Sequence, residues 1–91
     1  MSSISMRRLG DLVPIHAPGM NPITERQLRQ LSDDDLLRTT TNPRRNDLVT
    51  ARPGSSRLLD GNTRIIELQR RMHDPKSKIK PDTLIPVLED F

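Results

Sequence analysis

The stretch "LLDGNTRIIELQRR", residues 58–71, decides how the chain is read. An apolar pair runs into Asp60-Gly61, and an amphipathic basic segment follows at once. Ile65, Leu68 and Met72 recur at helical spacing with Ile66 beside them, while Arg64, Glu67, Arg70 and Arg71 fill the polar positions. That period predicts a helix over residues 62–72, with "RLLD" at 57–60 as the strand that delivers the chain into it. The junction has two readings. As a plain turn, Asp60 caps its own loop and Asn62 or Thr63 caps the helix. As a site, the unpaired N–H groups of the first helical turn and the positive end of the helix dipole face an anion. Gly61 then lets the anion approach the backbone closely, and Arg64 offers a planar fork to phosphate oxygens. An arginine in a first turn opposes the helix dipole, so its presence there asks for a partner.

Working outward, "DLVTAR" (47–52) is predicted as a strand and "RPGSSR" as the turn that returns it to "RLLD", making a hairpin. "HDPKSKIKPD" is a basic loop, and "TLIPVLEDF" a closing strand whose Pro86 suggests a sheet edge. Toward the N-terminus, "RRLGDLVPIH" (7–16) is predicted as a short edge strand containing Pro14, and "APGMNPIT" as a loop. Thr24 with Gln27 forms a capping box for a helix carrying Leu28 and Leu31. Ser32 with Asp35 repeats the pattern, and Asp33-Asp34-Asp35 suits the positive end of a second helix, whose Leu36 and Leu37 face inward. "TTTNPRR" ends that helix. Residues 1–6 are expected as a flexible N-terminus and 7–91 as one domain. The fold class is therefore α+β: a compact domain with a small mixed sheet and two or three helices.

Composition narrows the function classes. Phe91 is the single aromatic residue, so the core is built from Leu, Ile, Val and Met, and nothing is available for stacking bases. The absence of cysteine excludes disulfides and Cys-based zinc sites. His16 and His73 are too few for a histidine metal cluster. No apolar run reaches the roughly 18–20 residues of a membrane span, so no membrane insertion is expected. "MSSISMRR" lacks an apolar segment after its basic pair, so no signal peptide is expected either. A net charge of +3 favours anionic partners, and a 91-residue chain with so small a core favours a companion.

The residues at 57–71 resemble the "(I/L)(I/L)DG-x-x-R" strand-turn-helix signature of the ParB/sulfiredoxin superfamily. Other pieces follow in the same order. "LGDLVPI" followed by Asn21-Pro22 resembles the opening strand and Asn-Pro corner, and "LSDDDLLRT" the helix after it. "NDLVTARPGSSRLLDGNTR" resembles the hairpin, and "LIPVLEDF" the closing strand. The resemblance spans residues 7–91, with specificity concentrated in Asp60-Gly61-x-x-Arg64. ParB itself has Gly-Glu-Arg-Arg where this chain has Gly61-Asn62-Thr63-Arg64, and it continues into a helix-turn-helix that this chain does not carry. Sulfiredoxin needs a cysteine in this turn. The wording is most similar to the ParB-like toxin domains of bacterial polymorphic toxins.

That resemblance implies a domain binding nucleotide or nucleic-acid phosphates at the Asp-Gly-x-x-Arg turn. It implies cleavage of a phosphodiester bond, as a nuclease, or of a phosphoanhydride bond, as an NTPase. Gly61 and Arg64 would be the phosphate-binding pair, with Asn62 and Thr63 beside them. Asp60 would hold a divalent metal such as Mg²⁺ or polarise a nucleophile. A toxin of this kind implies delivery as the C-terminal part of a larger secreted protein, action in the target-cell cytoplasm, and a cognate immunity protein as partner. Two other classes stay open. One is a non-catalytic interaction module; the other is an NTP-dependent small-molecule kinase, for which Glu67 is the nearest acidic base.

Outside the turn, His16 ends the first predicted strand, where it can act as general base or phosphate contact, or be a plain surface residue. Arg44 and Arg45 are candidates for phosphate contacts from a loop, or a solvated pair. Lys76, Lys78 and Lys80 add a diffuse positive field. Arg70, Arg71 and His73 are accounted for by the negative end of the helix dipole. Asp33-Asp34-Asp35 reads as a capped helix start rather than a metal site.

Overall fold

The amphipathic helix that opened the sequence reading organises the structure. In this computed structural model, which describes residues 2–41 and 48–90, helix α3 runs over Asn62–Met72. Ile65 and Leu68 are fully buried on its inner face, with Met72 packed against the same cluster. They lie on a four-stranded mixed sheet made of β1 (Ser2–Arg8), β2 (Val49–Ala51), β3 (Leu58–Asp60) and β4 (Leu84–Asp90). Strand order is β1-β4-β2-β3. Val49, Ala51, Leu58, Ile85 and Val87 face the helices and are completely buried. With α1 (Pro22–Arg29) and α2 (Asp33–Thr41), the described residues form an α+β domain of three α-helices on one face of the sheet.

Two strand expectations change. The first strand is Ser2–Arg8, not 7–16, so most of the expected flexible N-terminus is paired with β4. Its pattern hid it: Ser5 and Arg7 pair with the core residues Val87 and Ile85, while Ile4 and Met6 point the other way, each 55% exposed. Leu9–Asp11 turns as a short 3-10 helix, and of the expected 7–16 strand only a parallel bridge from Val13 to Arg57 remains beyond it. The closing strand is central rather than an edge. Pro86 is accommodated because it sits opposite Met6 of β1, and the parallel ladder with β2 begins one residue later, at Val49 opposite Val87. The β2–β3 hairpin forms as expected, around a positive-φ Gly54.

Helix starts divide two ways. Ser32 caps α2 through its Oγ, which accepts from the Asp35 N–H at 3.1 Å. Thr24 does not cap α1; that helix begins at Pro22, where a missing N–H costs nothing, and Thr24 lies inside its first turn. Glu25 instead accepts from the Gly19 N–H at 2.9 Å. The threonine run extends α2 to Thr41, with Thr39 Oγ1 donating to the Leu36 carbonyl and Thr40 Oγ1 to that of Leu37. Ser32→Ala is expected to lower stability by about 1 kcal/mol, a melting shift of roughly 4–8 °C for a domain this size, measurable by calorimetry.

A buried polar network ties the helices together. Arg71 is 8% exposed and donates to Glu67 (3.0 Å), to Asp33 (3.0 Å) and to the Leu28 carbonyl (3.1 Å). Arg70 grips the same Glu67 carboxylate at 2.6 Å. Asp33 also accepts from Ser77 Oγ and from the Lys78 N–H. The helix dipole therefore does not account for Arg71, and Asp33 is a structural hub rather than simply the start of a helix. Burial pushes both carboxyls up, but donors outweigh it: Arg70 and Arg71 for Glu67, and Ser77, Lys78 and Arg71 for Asp33. Both sit below the ordinary carboxylate range. Lys78 is paired with Asp34 at 2.8 Å, which ties down the middle of the expected lysine field.

Candidate functional site

The strand-to-helix junction depends on one backbone conformation. Gly61 has φ +85°, the left-handed region that L side chains avoid, and it turns β3 directly into α3. A Cβ at this position would lie 2.9 Å from Val49 Cγ2, 3.1 Å from Val49 Cα and 3.2 Å from Arg64 Nη2. The glycine is thus required for its conformation and for the close approach of β2. Asp60 Oδ1 accepts from the Gly61 N–H at 2.8 Å, closing the turn on itself. Since Gly61 occupies the cap position, no side chain caps α3, and the residues of its first turn line a cleft of about 470 Å³.

His16, Asp60, Gly61, Asn62, Thr63 and Arg64 all line this cleft, although His16 is far from the others in sequence. Asn62 makes the connection. Its Oδ1 accepts from the Ile15 N–H at 2.7 Å, pinning the residue before His16 to the start of α3. On its other flank that loop is held by β3, where the Val13 N–H donates to the Ser56 carbonyl and the Leu58 N–H to that of Val13. Asn62 is 3% exposed, and its Nδ2 is a buried donor with no hydrogen-bond partner among the described residues. Its carboxamide is therefore a tether rather than a helix cap.

Arg64 has a structural partner. Its Nη1 donates to the Thr39 carbonyl at 2.6 Å, so the guanidinium caps the C-terminal turn of α2 from the cleft wall. This accounts for an arginine in a first helical turn: the charge answers the negative end of a neighbouring helix. Thr39, Thr24, Leu28 and Asn21 complete the lining. Asn21 was visible in the Asn-Pro corner, and its Nδ2 lies 3.4 Å from Thr63 Oγ1. Thr39 gave no signal, because it contributes a main-chain carbonyl that any residue type supplies.

The remaining candidates fall elsewhere. Arg44 and Arg45 lie outside the described residues. Glu67 and His73 line a separate groove of about 300 Å³ between α1 and α3, and Glu67 is held by its arginines. Among the described residues no cluster of three or more His, Cys, Asp or Glu forms a metal site. Among the described residues Asp60 is the one carboxylate on the cleft, with one oxygen engaged by Gly61, so a Mg²⁺ ion there would take its other ligands from water and a substrate's phosphate oxygens. No described helix is long and apolar enough to cross a membrane. Compared with models of known protein families, with curated proteins and with solved structures, the chain matches none.

Proposed function

We propose that the cleft at the start of α3 binds the phosphates of a nucleotide or nucleic acid, and that the chain is a ParB-like toxin domain hydrolysing a phosphodiester or phosphoanhydride bond. The observation that carries this reading is an uncapped helix N-terminus, entered through a left-handed glycine, opening on a cleft lined by Arg64 and His16. Backbone N–H groups fixed in a helix need no reorganisation to meet an anion, and they stabilise charge that develops on a phosphoryl oxygen during transfer. Arg64, held in place by the Thr39 carbonyl, adds a permanent positive charge to the same wall. His16 accepts the proton of the attacking water, and Asp60 orients that water or supplies one ligand to a Mg²⁺ ion carried by the substrate. As a toxin, the domain would act in a target-cell cytoplasm and be neutralised by an immunity protein in the producing cell.

A second reading has its own observation. Arg64 bonded to Thr39 and Asp60 bonded to Gly61 are what a purely structural junction needs, which supports a non-catalytic interaction module. The kinase alternative loses its base, because Glu67 is buried in ion pairs off the cleft. His16 separates the first two readings, since it is exposed and its removal leaves the junction intact. His16→Ala is expected to lower Mg²⁺-dependent DNA nicking or NTP hydrolysis by about 100-fold or more, with an unchanged melting temperature. Equal turnover by the variant and the wild type would remove His16 from the mechanism and leave the module reading in place.

A further inference from the structure

We propose that two copies of this chain associate through β1, edge to edge and antiparallel, to form one continuous eight-stranded sheet. The two ends of the sheet are not equivalent. β3 is three residues long and is partly covered by the bridge from Val13. β1 is seven residues long, pairs only with β4 among the described residues, and carries no proline or bulge. Its two charges lie at its C-terminal end, and Arg7 is turned inward and neutralised by Glu89 at 3.0 Å, so Ser2–Met6 keep an unblunted edge.

The side chains of β1 are also reversed. An edge strand over a core puts its apolar residues inward. Here Ser5 and Arg7 take the core side, while Ile4 and Met6 stand on the open face opposite Leu88 and Pro86 of β4, with Leu84, 51% exposed, diagonal to Met6. Those residues form an apolar stripe running to the free edge, where a second copy would extend it.

Hydrogen bonding fixes the register. Pro86 has no N–H, so it fits opposite Met6 only where the pairing needs none. The N–H and C=O groups of Met6, and of Ile4 two residues back, therefore point to the free flank. Antiparallel pairing centred on Ser5 uses both sets, with Ile4 opposite Met6 of the second copy and Ser5 opposite Ser5. The charges agree. Arg7 faces Ser3 of the second copy and Arg8 faces Ser2, and the two Arg7 residues stand about 13 Å apart, beyond a Debye length at physiological salt. Parallel pairing would instead set Arg7 against Arg7, which is destabilising. Ser5 Oγ is buried without a hydrogen-bond partner among the described residues, and the central pair gives it a hydroxyl across the strand.

Because the chain has no cysteine, single substitutions report the register directly. Ser5→Cys places two thiols across a non-hydrogen-bonded pair with Cα atoms about 4.5 Å apart, within disulfide reach. Ser3→Cys places them about 13 Å apart, out of reach. The expected results are a wild type that sediments as a dimer across the micromolar range, and an Ile4→Lys variant that is folded by circular dichroism yet monomeric. Mild oxidation should cross-link Ser5→Cys and leave Ser3→Cys single. A wild type that stays monomeric overturns the proposal, as does an Ile4→Lys variant that dimerises like the wild type. It is equally overturned if Ser5→Cys fails to cross-link, or if Ser3→Cys cross-links as readily.

Discussion

Arg71→Ala is expected to cost roughly 3–5 kcal/mol of stability, because it removes the buried guanidinium that joins the buried Glu67 carboxylate to the half-buried Asp33. Glu67 is 5% exposed and would keep only Arg70 and a distant Arg29, and Asp33 would lose its guanidinium. The carbonyls of Leu28 and Arg29 would lose their donor as well. Set against a total of roughly 5–15 kcal/mol for a small domain, that loss leaves a large unfolded fraction. Chemical denaturation followed by circular dichroism would measure it as a shift in midpoint.

The same network predicts an acid response. Both carboxyls are held below their ordinary values in the folded state, so the unfolded chain binds protons more readily than the folded one in the acid range. Their contribution to stability is thus fully present above the ordinary carboxylate range and is lost as pH falls through the lowered folded-state values. A denaturation series taken downward from neutral pH should show the wild type weakening through that window. Arg71→Ala, already deprived of the stabilising donor, should show a shallower acid dependence. A parallel decline in both proteins would mean that Arg71 does not set these carboxyls.

Gly61→Ala carries the second large effect. A non-glycine residue at φ +85° costs roughly 1–2 kcal/mol, and the new Cβ meets both backbone and side chain of Val49 at contact distances that require movement. Val49 is a fully buried residue of β2, so it has little room to give, and the overlap adds roughly 1–3 kcal/mol. The expected total is about 2–5 kcal/mol, a fall in melting temperature of roughly 8–40 °C for a domain of this size. A shift of only a degree or two by scanning calorimetry would show that the turn tolerates a side chain and that the β3–α3 junction is looser than described.

What the sequence disclosed depended on whether a residue acts through local periodicity or across the chain. The 3.6-residue apolar repeat of Ile65, Leu68 and Met72 located α3 over residues 62–72, and Ser32 with its partner three residues on located the start of α2. Both signals lie within a few residues of the structure they specify. β1 was hidden because its apolar side chains face away from the core, and Pro86 misled because proline in a central strand is tolerated when the adjoining ladder starts one residue later. At the cleft, the residues 60–64 were legible as a unit, whereas His16 was a candidate only as the end of a predicted strand that does not form, and it reaches the cleft through the Ile15–Asn62 bond. The carboxamide of Asn62 that pins Ile15, and the Thr39 carbonyl that receives Arg64, are contacts over long sequence separations with no local signature. The same holds for Arg71, whose position at a helix C-terminus suggested a dipole effect while its bonds to Asp33 and Leu28 cross the fold.

Titrating inorganic pyrophosphate into the wild type and Thr63→Asp by calorimetry shows whether the first turn of α3 receives phosphate. A carboxylate in the first turn favours the helix dipole by roughly 0.3–1 kcal/mol, so the fold is expected to hold or gain stability. The same carboxylate stands in front of the N–H groups that would meet the anion and repels it. Pyrophosphate is expected to bind the wild type saturably with one site per chain, and tenfold or more weakly in Thr63→Asp at an unchanged or raised melting temperature. Pyrophosphate that fails to saturate the wild type, or that binds both proteins equally, would contradict phosphate binding at that turn.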